Sequence, residues 1–157
     1  MPHSLTDVVE RVKQRHSHAA VPRCAEHGCR LGLAGLGRHV VLKGEAACPQ
    51  GSRAPDCLVF VVQGDRLSVA VVELKSRTVD VSAVEEKLQN GASRAVEIAH
   101  ECGCDSVDLR CLVLSKALDS SEFRVLTGKP RIRLQGASHR IQPRKCGVAL
   151  KDVLRST

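Results

Sequence analysis

The sequence predicts a single α/β domain in which a mixed sheet is flanked by helices, and three observations carry that prediction. Two nearly continuous apolar runs, at residues 57–63 and 67–75, are joined by a polar Gly64-Asp65 turn, the pattern of a β-hairpin. Runs so rarely interrupted imply that both faces of the sheet are covered. Two other stretches repeat apolar residues at helical spacing: Leu5, Val8, Val9 and Val12, then Val84, Leu88, Ala92, Ala95, Val96 and Ala99. Finally, the chain has two Phe and no Tyr or Trp, so its core is aliphatic, and a Val- and Leu-rich core suits strands packed on helices. A length of 157 residues is enough for one such core.

Taken in order, residues 4–16 read as a helix, with Ser4 or Thr6 as cap and Asp7 in the first turn. Residues 18–37 hold Pro22 and the glycines Gly32, Gly35 and Gly37, and read as loop and turns. A first strand is expected at 38–43, ended by Gly44, and a loop at 48–54. The hairpin strands follow. Residues 81–102 form the longest predicted helix, capped by Asp80 or Ser82 and ended by Gly103. A strand is expected at 107–114, weaker strands at 123–126 and 131–134 around Gly128-Lys129-Pro130, and a short helix at 148–154. The resulting order is α-β-β-β-α-β, then short strands and a helix.

The formal net charge of +7 suggests a polyanionic partner, nucleic acid first. No run approaches the length of a membrane span, and Met1-Pro2-His3-Ser4 does not start a basic-then-apolar leader, so a cytoplasmic chain without membrane contact is expected. Eight cysteines without a secretory signal are expected to stay reduced rather than form a disulfide framework. Cys24, His27, Cys29 and Cys48 are the candidate zinc ligands. Zinc takes about four such ligands, but no paired Cys-x-x-Cys is present, so scattered thiols are the preferred reading and Zn2+ is not the expected cofactor. There is no phosphate-cradling Gly-x-x-x-x-Gly-Lys-Ser/Thr loop and no nucleophilic serine elbow.

The second hairpin run ends in Glu73-Leu74-Lys75. Side chains alternate along a strand, so Val71, Glu73 and Lys75 share one face. Asp56 opens the preceding strand, and an antiparallel hairpin lays the start of one strand beside the end of the next. Two carboxylates and an ammonium therefore converge. Close carboxylates repel until a hard cation sits between them, and Mg2+ prefers such oxygen ligands. A cation there can polarise a phosphodiester, while the lysine orients water or offsets phosphate charge.

Pro55-Asp56, a spacer of sixteen residues (57–72), then Glu73-Leu74-Lys75 resembles the signature of the PD-(D/E)XK nuclease superfamily. The predicted element order is similar to that restriction-endonuclease-like core over roughly residues 4–114. The resemblance implies that Asp56 and Glu73 bind Mg2+ or Mn2+ and that Lys75 is the catalytic lysine. It also makes Glu10, on the first helix, a further metal ligand, and Gln89, on the long helix, a further catalytic residue; both read equally well as plain exposed helix residues. A second Glu-x-Lys, Glu85-Glu86-Lys87, falls within the long helix and reads as a solvated face. In the basic tail, Arg131, Arg133, Arg140 and Arg144 are candidates for binding phosphate; with no interleaved aromatics, base stacking is not expected. The expected function is a metal-dependent nuclease, on DNA before RNA, acting as a homodimer or with a helicase, recognition or defence partner. The alternatives are a non-cleaving subunit of a defence or repair complex, and a zinc-stabilised interaction domain.

Overall fold

Ser4 Oγ accepts the Asp7 N–H at 3.1 Å and starts helix α1 (Leu5–Arg15), as a serine ahead of an apolar stripe does. The computed structural model describes residues 4–75, 80–117 and 119–155. After α1 come short strands β1 (Ala20–Val21), β2 (Ala25–Glu26) and β3 (Cys29–Arg30), then β4 (His39–Lys43) and the one-turn helix α2 (Gly44–Ala47). The hairpin β5 (Cys57–Gln63) and β6 (Arg66–Lys75) leads to α3 (Val81–Glu101) and β7 (Val107–Ser115). The chain ends with α4 (Ser120–Thr127), β8 (Ile132–Leu134), β9 (Ala137–His139), β10 (Ile141–Lys145) and α5 (Leu150–Arg155).

Six strands form one mixed sheet in the order β1-β4-β5-β6-β7-β10. β1, β4, β5 and β6 are antiparallel neighbours, whereas β7 and β10 run parallel to β6. The parallel step from β6 to β7 uses α3 as its crossover. Asp80 caps α3 by accepting the Ala83 N–H at 3.2 Å. Val84, Leu88, Ala92 and Ala95 of α3, with Val8, Val9 and Val12 of α1, bury one face of the sheet over Leu58, Phe60 and Val71. Leu31, together with Leu150 and Leu154 of α5, covers Val59, Val72 and Leu114 on the other. The chain is thus α/β, with five helices among the described residues, and none of these is long and apolar enough to cross a membrane.

Three expectations are corrected. Residues 123–126 lie in a helix, α4, not a strand: Asp119 accepts the Glu122 N–H and the Ser121 hydroxyl, both at 2.7 Å. Four apolar residues cannot tell the two states apart, and this capping signal decides. Residues 141–145, read as no element, form the edge strand β10; Pro143 donates no hydrogen bond, which an edge tolerates. Cysteines expected to be reduced are paired: Cys24–Cys57 and Cys29–Cys146 are disulfides, with Cα separations of 5.9 and 5.1 Å, ordinary for such bonds. Cys48, Cys102, Cys104 and Cys111 are free. With Cys24 and Cys29 in different disulfides, Cys24, His27, Cys29 and Cys48 do not gather as a zinc set.

Candidate active site

The β5–β6 register pairs Cys57 with Val72, so one step further along the ladder Asp56 faces Glu73. The Leu74 N–H donates to Asp56 Oδ2 at 2.7 Å, which ties the carboxylate to the neighbouring strand. Two glycines let the backbone close here. The Gly44 N–H donates to the Asp56 carbonyl at 2.9 Å, and a Cβ on Gly44 would lie 1.7 Å from the Pro55 carbonyl oxygen. A Cβ on Gly91 of α3 would lie 2.5 Å from Pro55 and 2.6 Å from Val71. Pro55-Asp56 is therefore pressed between α2 and α3.

Glu73 is 1% exposed. Lys75 Nζ lies 3.1 Å and Lys87 Nζ 2.9 Å from the same oxygen, Glu73 Oε2. Among the described residues no donor reaches the other oxygen, Oε1. Burial, and after it the Glu73 charge, push the Asp56 carboxyl up to about 7, against the stabilising Leu74 N–H. The hydrogen bond that Lys87 donates to Glu73 raises the ammonium above its ordinary value, outweighing burial. Without a cation, a proton held between the two carboxylates is the remedy the pair itself offers the orphaned Oε1.

Lys87 is the member of this cluster that sequence reasoning missed, having been taken for part of a solvated face. It flanks the buried stripe of α3, one position from Leu88, and the stripe alone does not say which flank meets the sheet's charged end. Gln89 lies on the opposite flank. Its side chain donates to the Arg133 carbonyl and accepts the Arg133 N–H, each at 2.9 Å, so it is engaged with β8 rather than with Glu73. Glu10 is also displaced from the site. It pairs with Arg38 at 3.1 Å, and the Arg38 carbonyl accepts the Val62 N–H, roughly 20 Å along β5 from Asp56 at strand rise.

The arginines do not form one free surface. Arg131 is committed to Glu85 at 2.9 Å and to the Val125 carbonyl at 2.7 Å. Arg140 donates to the Thr127 carbonyl at 2.7 Å, and Arg133 is exposed on β8. Arg144 lines a separate cavity at the ends of β7 and β10. Beside Asp56 lies another cavity of about 240 Å3, lined by Glu26, Lys43 and Glu45 among others. The two disulfides frame the cluster: Cys57 follows Asp56 directly, and Cys146 Sγ lies 4.0 Å from the Lys75 carbonyl.

A divalent cation suits the pair on chemical grounds, since Oε1 is buried without a donor and burial beside the Glu73 charge raises the Asp56 carboxyl to about 7. Among the described residues no group of three or more His, Cys, Asp or Glu gathers. Such a cation would therefore keep mostly water and substrate oxygens, as Mg2+ tolerates. No family model matches the chain, and no curated protein or solved structure matches it either.

Proposed function

We propose that the chain is a metal-dependent nuclease with a restriction-endonuclease-like core of the PD-(D/E)XK kind. The observation that carries this reading is Asp56 facing a buried Glu73 whose Oε1 lacks a donor, with Lys75 3.1 Å from its other oxygen. Further support comes from the element order: a helix, an antiparallel β4–β5–β6 unit, a crossover helix and the parallel β7. Asp56 and Glu73 hold Mg2+ or Mn2+, which supplies charge neutralisation and Lewis-acid activation at the scissile phosphate. Lys87 holds Glu73 Oε2 so that Oε1 is left for the cation. Lys75, more accessible than Glu73, orients the attacking water and offsets charge on the phosphate. DNA is the preferred substrate over RNA, and a second copy or a helicase or recognition subunit is the proposed partner.

One observation favours a second reading. Both lysines already pair with Glu73, an ion-pair network of the kind a non-cleaving nucleic-acid-binding subunit could retain. Cleavage separates the two. Labelled duplex, single-stranded and branched DNA and RNA are incubated with Mg2+, Mn2+ or EDTA, using wild type, Glu73→Ala and Lys75→Ala. The nuclease reading expects cutting that needs the cation and is lost in both variants. Binding that survives both substitutions, with no cutting of any substrate, supports the subunit.

A further inference from the structure

β6, β7 and β10 end side by side, and their register aligns Lys75 with Ser115 and Ser115 with Lys145. Neighbouring strands lie about 4.8 Å apart. Ser115 is thus one strand spacing from the proposed catalytic lysine, and Lys145 two. At these ends opens a cavity of about 310 Å3, whose walls include Ser115, Lys116, Phe123, Arg144 and Lys145. Arg144 is anchored through its Nη1 on the Pro143 carbonyl at 2.8 Å. Among the described residues, no carboxylate lies within ion-pair distance of any of the three cations. The chain has two phenylalanines. Phe60 is fully buried, whereas Phe123 is 48% exposed at this cavity, although its helix buries the nearby Leu126 completely.

We propose that this cavity is a subsite for an unpaired nucleotide next to the scissile phosphate, with Phe123 stacking on the base and Arg144 and Lys145 holding the backbone. The substrate is then single-stranded, or has a single-stranded end. A base stacked on both sides within a duplex cannot offer its face to an aromatic ring, while an unpaired one can, whatever its sequence. The cations supply the charge complementarity that a phosphate chain needs. The placement next to the cut rests on the nuclease reading; the stacking and charge do not. This also revises the expectation drawn from the sequence that base stacking is absent, since that expectation looked for aromatics interleaved with the basic tail, and Phe123 reaches it from α4.

Binding is measured in EDTA, by fluorescence anisotropy of labelled oligothymidine of about 16 nucleotides, a length that spans one such site, and of a duplex of equal length. Wild type is expected to prefer the single strand. Phe123→Ala is expected to weaken that binding roughly tenfold, Phe123→Trp to restore it, and Lys145→Ala to lower the salt dependence by about 0.7 for the lost phosphate contact. Thermal unfolding of each variant shows that the fold is kept. Unchanged single-strand binding in Phe123→Ala, or tighter binding of duplex by wild type, overturns the subsite. Cleavage is read separately with Mg2+ and Mn2+. Phe123-dependent binding without cleavage supports the subsite and removes the nuclease reading alone, whereas cleavage with no Phe123 dependence in binding does the reverse.

Discussion

Burial, and after it the Glu73 charge, raises the Asp56 carboxyl to about 7, and this has a stability consequence of known sign. Its folded pKa lies above the ordinary 3.8. Between these values the folded chain keeps a proton that the unfolded chain has lost, so stability falls as pH rises through that window. Chemical denaturation of metal-free protein from pH 4 to 8 should show this fall. Asp56→Asn should flatten the profile and exceed wild type in stability at the upper end; superimposable profiles would mean that Asp56 is not perturbed. In the proposed function Lys87 acts through Glu73, so Lys87→Ala is expected to weaken Mn2+ binding by about ten- to a hundredfold, the usual scale for losing a group that orients a ligand. Unchanged Mn2+ affinity would place Lys87 outside the site. The Asp56–Glu73 meeting was legible because hairpin register and side-chain alternation follow directly from the pattern of residues 56–75. Lys87 was not, because helical periodicity specifies a buried stripe but not how its two flanks are oriented over the sheet.

Elements built from local signals were the easier ones to read. α1, the hairpin and α3 carry periodicity over many residues and have their caps in place, Ser4 and Asp80. α4 was missed because its apolar segment is short and only Asp119 and Glu122 mark it. The β2–β3 hairpin escaped because its anchors are remote: the disulfides join residues 33 and 117 positions apart in sequence, and connectivity cannot be read from spacing. These bonds bear on the cytoplasmic expectation, since disulfides are rare in reducing compartments outside hyperthermophiles. A thiol count on protein denatured without reductant should find four free cysteines, Cys48, Cys102, Cys104 and Cys111, and reductant should lower stability by about 2–5 kcal/mol per bond. A count of eight thiols would show that both pairs are open.

At the scale of the whole molecule, the α/β class was legible because both faces of the central strands are covered, which leaves β5 and β6 almost wholly apolar. The parallel edge strand β10 was not, because Pro143 removes a donor and interrupts the pattern. In the proposed function that strand adds Lys145 to the edge where β6 and β7 line up Lys75 and Ser115, next to the cavity that Phe123 lines. The measurement that most directly tests the central claim is calorimetric titration of Mn2+ into wild type, Asp56→Asn and Glu73→Gln at pH 8 and pH 6. The account predicts a single site in wild type, lost in both variants, and weaker at pH 6, where Asp56, with its pKa of about 7, is mostly protonated. No Mn2+ binding by wild type, or binding that both variants keep, would contradict it.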